Sequence, residues 1–131
     1  MGEVWASAES DMPSYNHQWI WIEDTDHLLY SVDELMGKYD LSVDRNTNFL
    51  LGMVIDNRGL VPKADVTQVM VFGQEIKRRF RHKIAEVSGQ GEILIIDLSQ
   101  STKIDRLAIM EEIAQGERVL KYSVEGFIDG K

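Results

Sequence analysis

"NFLLGMVID", residues 48–56, is the run on which the fold turns. It is too short for a typical helix and almost continuously apolar. That pattern fits a β-strand covered on both faces, as parallel strands in α/β proteins are.

The flanking segments read as helices. "SVDELMGKYDLSV" (31–43) opens with a capping box: the Ser31 hydroxyl accepts from the Glu34 backbone and the Glu34 carboxylate reaches back to Ser31. Val32, Leu35, Met36, Tyr39 and Val43 then recur at spacings of three and four, one buried face. After the turn "NRGLVP" (57–62), a second helix is expected over 64–80, with Asp65 near its start and Val69, Phe72, Ile76 and Phe80 on one stripe. Lys77, Arg78, Arg79 and Arg81 close it, where cations complement the helix dipole. They read as a capped, solvated helix end rather than a nucleic-acid patch.

Working further upstream, "EVWASAE" (3–9) alternates Val4, Ala6 and Ala8 against Glu3, Trp5, Ser7 and Glu9, a period of two that suits a strand. Between it and Tyr30 lies an irregular segment with the aromatic cluster "SYNHQWIW" (14–21), Pro13 and the acids Glu23, Asp24 and Asp26. Connections of this length are commonly functional or disordered. Downstream of "SGQGE" (88–92) the pattern changes. "ILIIDL" (93–98), "IDRLAIMEE" (104–112) and "RVLKYSVEGFI" (118–128) are strand-like, and in the last Leu120, Tyr122 and Val124 alternate with Lys121, Ser123 and Glu125. The sequence ends in "IDGK", where Asp-Gly signals a hairpin turn. The expected class is α/β followed by all-β: a β-loop-α-β-α unit over 1–86 and the beginning of an antiparallel module over 87–131, together a piece of a larger two-domain protein.

Composition narrows the function. The 131 residues carry 22 acidic and 14 basic side chains, a formal charge of -8, whose field repels nucleic acid and anionic membranes. No apolar run is long enough to span a bilayer and no secretory leader pattern is present, so the compartment stays open. Absent cysteine removes disulfides and thiolate chemistry, and His17, His27 and His82 are too scattered for a metal cluster, so neither metal nor cofactor is expected.

"SVDRNTNFLLGMVIDNRGLVPKADV" (42–66) resembles the end of the catalytic barrel in family 29 glycoside hydrolases, the α-L-fucosidases. There a segment like S-V-G-R-N-x-N-L-L-L-(N/G) precedes a P-D-x-x-G-x-(I/V)-P turn. In the same order, "WASAESDMPSYNHQWIW" (5–21) resembles the family's Trp and acidic segment and "FGQEIKRRF" (72–80) its last barrel helix. "IDRLAIMEEIAQGERVLKYSVEGFIDGK" (104–131) resembles its C-terminal β-sandwich, with the signature E-x-I-x-x-G-(Q/E)-R-V. The resemblance implies the terminal β/α units of a (β/α)8-type barrel joined to an incomplete sandwich. Two positions depart: Asp44 replaces a usual Gly, which would strain a backbone wanting positive φ, and Ile55 replaces a Pro. No F-D-G motif, which carries the family's nucleophile, occurs here, so this segment alone is expected to be unable to complete the reaction.

The activity so implied is retaining hydrolysis of terminal α-L-fucose from a fucosylated oligosaccharide or glycoconjugate, which needs two carboxylates about 5–5.5 Å apart. Glu9 and Asp11, two apart at the end of the first expected strand, share a face and are candidates for acid and nucleophile. Pocket shaping, by holding a water or a sugar hydroxyl, is the reading favoured for them over catalysis. Trp19 is the candidate sugar platform: an indole matches the apolar face and methyl group of a deoxysugar. His17 is a candidate hydroxyl contact, while Tyr15, Trp21 and Trp5 are expected to fill core or rim. Glu111, Glu112, Glu117 and Arg118 are expected to join sandwich to barrel through ion pairs and hydrogen bonds. The rival readings are a non-catalytic carbohydrate-binding or partner-binding module and a poorly folded remnant; oligomeric state is undetermined.

Overall fold

A computed structural model describes residues 6–114, 116 and 118–128. Trp5 and the start of the expected first strand, Glu117, and the closing residues 129–131 of the hairpin signal lie outside the described residues. The chain divides into two compact units, residues 1–82 and 83–131.

The first unit is a β-α-β-α arrangement: β1 (Ala8–Pro13), α1 (Val32–Ser42), β2 (Thr47–Gly52) and α2 (Lys63–Phe80). The strands pair in parallel, with Ala8 opposite Thr47 and Pro13 opposite Gly52. Parallel partners require a crossover, which the 14–31 loop and α1 supply. Of the expected first strand, the described Ala6 and Ser7 lie outside β1, because strand limits are set by where a partner offers hydrogen bonds. It ends at Pro13, which has no N–H to donate.

α1 starts as expected. Ser31 Oγ accepts from Glu34 N at 3.3 Å, and Ser31 N donates to the Glu34 carboxylate at 2.8 Å. The expected apolar face is formed except at Val43, which lies in a 3-10 turn (Val43–Arg45) and is exposed. Asp44 sits in that turn and is not among the residues with positive φ. The left-handed position falls on Asn46, at φ 62°, so the strain expected at Asp44 does not arise.

Leu35, Met36 and Phe72 form the core, with Met12, Tyr30, Val32, Tyr39, Phe49, Leu51 and Ile76 packed around them. Phe72 meets Tyr39 and Phe49 edge-on, both at centroid distances of 6.2 Å, a favoured aromatic geometry. Arg79 ties the helices together, bonding Glu75 at 2.8 Å and lying 3.8 Å from Asp40 on α1. The basic cluster at the end of α2 is largely exposed, and Arg78 folds back onto Glu75 at 2.7 Å.

Within this unit β2 is covered on one of the two faces expected to be covered. Phe49 and Leu51 pack on the helices, but Leu50, on the opposite face, is 45% exposed. Within 1–82 both helices lie against one face of the sheet, and among the described residues no helix of this unit covers the other face.

In the second unit no described residue is in a helix or a strand. The segments 93–98, 104–112 and 118–128 therefore do not form the three expected strands here. Alternation assigns faces, but a strand exists only with a hydrogen-bonded partner, and none of the three finds one. Glu111 accepts from Arg118 N at 2.8 Å and Val119 N at 3.1 Å, and its carboxylate lies 3.3 Å from Arg118 Nε. This pairing, expected to bridge two domains, is made within the segment itself.

Candidate functional site

The uncovered face of the strand pair is built by alternation. Since Met12, Phe49 and Leu51 point to the helices, Glu9, Asp11, Asn48, Leu50 and Gly52 share the other side. Glu9 is paired with Asn48 and Asp11 with Leu50 across the ladder. Both carboxylates are exposed, and Asn48 Nδ2 donates to Ser7 Oγ at 2.8 Å near the start of the strands. Two residues along a strand span about 6.6 Å. The pair therefore forms an acidic step on an open, partly apolar surface.

Trp19 closes the C-terminal end of this face. A side-chain carbon added at Gly52 would lie 3.7 Å from Trp19 Cζ3 and 3.6 Å from Met12 O, ordinary van der Waals contact, so the edge of the indole lies beside the strand end. The indole remains 60% exposed. Trp21 is half-buried, as expected of rim filling. His17 is exposed at φ 60° in the turn closed by Gln18 N donating to Tyr15 O at 3.3 Å.

The 14–31 segment, irregular in sequence, is a closed loop. Tyr30 N donates to Ser14 O at 3.1 Å, Asn16 N to Leu28 O at 2.8 Å, and Tyr30 OH to Asn16 Oδ1 at 3.2 Å. Ser14 N donates to Gly52 O at 2.8 Å, docking the loop base on the end of β2. Loops with closed ends packed by their own side chains are characteristically ordered. Gln18 Nε2 donates to Ile20 O at 2.9 Å, and Thr25 Oγ1 donates to Ile22 O at 2.7 Å, fixing the tip from inside.

Sequence reasoning missed the deepest part of this arrangement. Asp65, in the first turn of α2, is 0% exposed and accepts from Ser14 Oγ at 2.9 Å and Tyr15 OH at 2.6 Å. Tyr15 is 1% exposed, and its phenol is pushed far above the usual tyrosine range, chiefly by burial and then by the bond to Asp65. It stays a protonated donor at any physiological pH. The only signal in the sequence was an acid near a helix start; a partnership across some fifty positions leaves no local trace.

On the following turn Asp56, buried, accepts from the Arg58 guanidinium at 2.6 Å, Arg58 N at 2.9 Å and Leu60 N at 3.1 Å. Arg58 holds its carboxyl below the ordinary range. The turn forms without a proline at Ile55, because the carboxylate organises it and Gly59 takes φ 75°. Among the described residues no group of three His, Cys, Asp or Glu side chains is arranged to hold a metal ion, and no helix is long and apolar enough to cross a membrane.

No family model and no curated protein matches the chain. Solved structures do. A candidate α-L-fucosidase from Bacteroides thetaiotaomicron VPI-5482 is 38% identical over 67% of this chain, with a TM-score of 0.63. The chain belongs to glycoside hydrolase family 29. A Ruminococcus gnavus family 29 fucosidase solved with fucose is 30% identical over 66% of this family 29 chain, at a TM-score of 0.58. A family 29 member from a rumen bacterium matches over 76% at 24% identity and a TM-score of 0.67, a likeness of fold. The chain spans 21%, 17% and 18% of those three chains, so it corresponds to about a fifth of the relatives it resembles.

Proposed function

We propose that residues 1–86 supply the last β/α units of an α-L-fucosidase barrel, with 87–131 the start of its β-sandwich, in a protein that removes terminal fucose from glycans. On this reading the uncovered sheet face lines the barrel interior and the 14–31 loop stands at its C-terminal mouth, where barrel active sites lie. Trp19 presents indole surface to the sugar's apolar face and methyl group. Glu9 and Asp11 line the wall and hold a sugar hydroxyl or ordered water, and His17 contacts a hydroxyl from the loop turn. Chemistry in such a protein is retaining: a carboxylate attacks the anomeric carbon while an acid protonates the departing oxygen, then deprotonates the water that releases the sugar. The nucleophile comes from sequence other than the segment in hand.

The observation that carries this reading is Trp19 set against Gly52 at the strand ends, above the face bearing Glu9 and Asp11. Calorimetric titration with L-fucose, paired with a chromogenic fucoside assay, tests it. Binding should weaken about tenfold, roughly 1.4 kcal/mol, in Trp19→Ala, and the 131-residue chain should show no turnover. Undiminished fucose binding by the variant would remove Trp19 from the pocket, and turnover would mean that the chain holds its own nucleophile.

A further inference from the structure

Asp65 is a buried carboxylate that the fucosidase reading does not use. A charge 0% exposed is costly unless it is neutralised or fully hydrogen-bonded. Among the described residues no cation is bonded to it. Its charge is met by two hydroxyl donors and by the N-terminal turn of α2, where the helix dipole favours an anion. Both donors come from the base of one loop. Ser14 is the residue whose backbone docks the loop on Gly52, and Tyr15 opens the turn through His17. The same helix takes a second hold, as Gln68 Nε2 donates to Tyr30 O at the loop's other end.

We propose that Asp65 is a positioning residue, fixing the 14–31 loop so that Trp19 rests over Gly52 at the strand ends in one orientation. It touches no sugar. It acts through Ser14 and Tyr15, and the gain is a pre-ordered platform that loses little freedom when a ligand arrives. The functional meaning of this device rests on Trp19 being a sugar contact; the anchoring itself does not.

The test follows Trp19 by fluorescence in the 131-residue chain, with Trp5→Phe and Trp21→Phe making it the sole emitter. Tyr15→Phe removes the 2.6 Å bond and keeps the ring, and Ser14→Ala removes the 2.9 Å bond. In each the slow component of the Trp19 anisotropy decay should shrink, and further in the double variant, with helical circular dichroism unchanged. Because the indole is already 60% exposed, acrylamide quenching should rise only modestly. Ser31→Ala, which weakens the start of α1 without removing either bond to Asp65, should lower the melting temperature without moving the anisotropy. An anisotropy decay unaltered in both loop variants would overturn the proposal, as would a parent chain whose Trp19 already moves as freely as a short peptide, or a Ser31→Ala change equal to theirs. L-fucose is then added throughout. Failure of fucose to shift Trp19 emission in any variant counts against the fucosidase reading alone, while failure of the anisotropy change counts against the anchoring by Asp65 alone.

Discussion

Ser31 shows how much one side chain can decide. Its hydroxyl satisfies Glu34 N, and Glu34 in turn satisfies Ser31 N, so two orphan donors at the start of α1 are met by neighbours three positions apart. Ser31→Ala should cost about 1 kcal/mol, read as a lower melting temperature. Glu75 makes a pH-dependent contribution: hydrogen bonds from Arg78 and then Arg79 hold its carboxyl down to about 2 from the usual 4.5. A depressed carboxylate adds stability that is complete above its unfolded value and is lost as pH falls through its folded value. The melting temperatures of the parent and Glu75→Gln should therefore differ above pH 4.5 and converge toward pH 2; a constant gap would place the effect elsewhere. The capping box was legible in the sequence because both partners lie within a helical turn, whereas the cations after Glu75 were read only as complementing the helix dipole. The bond from Tyr15 to Asp65 was not legible, since nothing local joins residues fifty positions apart.

Among the elements, the helices were read nearly to the residue and the strands only in kind. A helix satisfies its own backbone, so capping and 3.6-residue periodicity specify it; a strand is completed by a partner. Hence α2 begins one residue from its expected start, while β1 leaves out Ala6 and Ser7 and segments 93–98, 104–112 and 118–128 form no ladder. Between elements, α1 is held by Leu35 and Met36, both 0% exposed, packed with Phe72 of α2. Leu35→Ala should destabilise the first unit by about 2–5 kcal/mol, measured by denaturant unfolding. The turn from β2 to α2 depends on the Asp56 carboxylate, which meets two backbone donors and a guanidinium. Asp56→Ala should lower stability in the same assay, because it leaves two backbone donors and a guanidinium without their acceptor.

At the scale of the whole molecule, apolar surface remains open on the sheet face at Leu50, after the strand at Met53 and Ile55, and throughout the second unit, where Leu120 is 99% exposed. Surface of this extent marks an interface or an association hazard. The 131-residue chain should enhance the emission of an apolar dye, and Leu50→Gln with Ile55→Gln should reduce it; an unchanged signal would assign the dye to the second unit. The sequence by itself determined the two helices, the parallel character of the apolar run and the family, because each is written in neighbouring residues or in a long collinear pattern. Tertiary structure alone decided which face of β2 is covered, where β1 begins, and that Trp19 lies over Gly52 while Asp65 holds the loop beneath it. Those outcomes follow from burial and hydrogen bonding between residues distant in the chain, and such partners are selected only when the backbone brings them into reach.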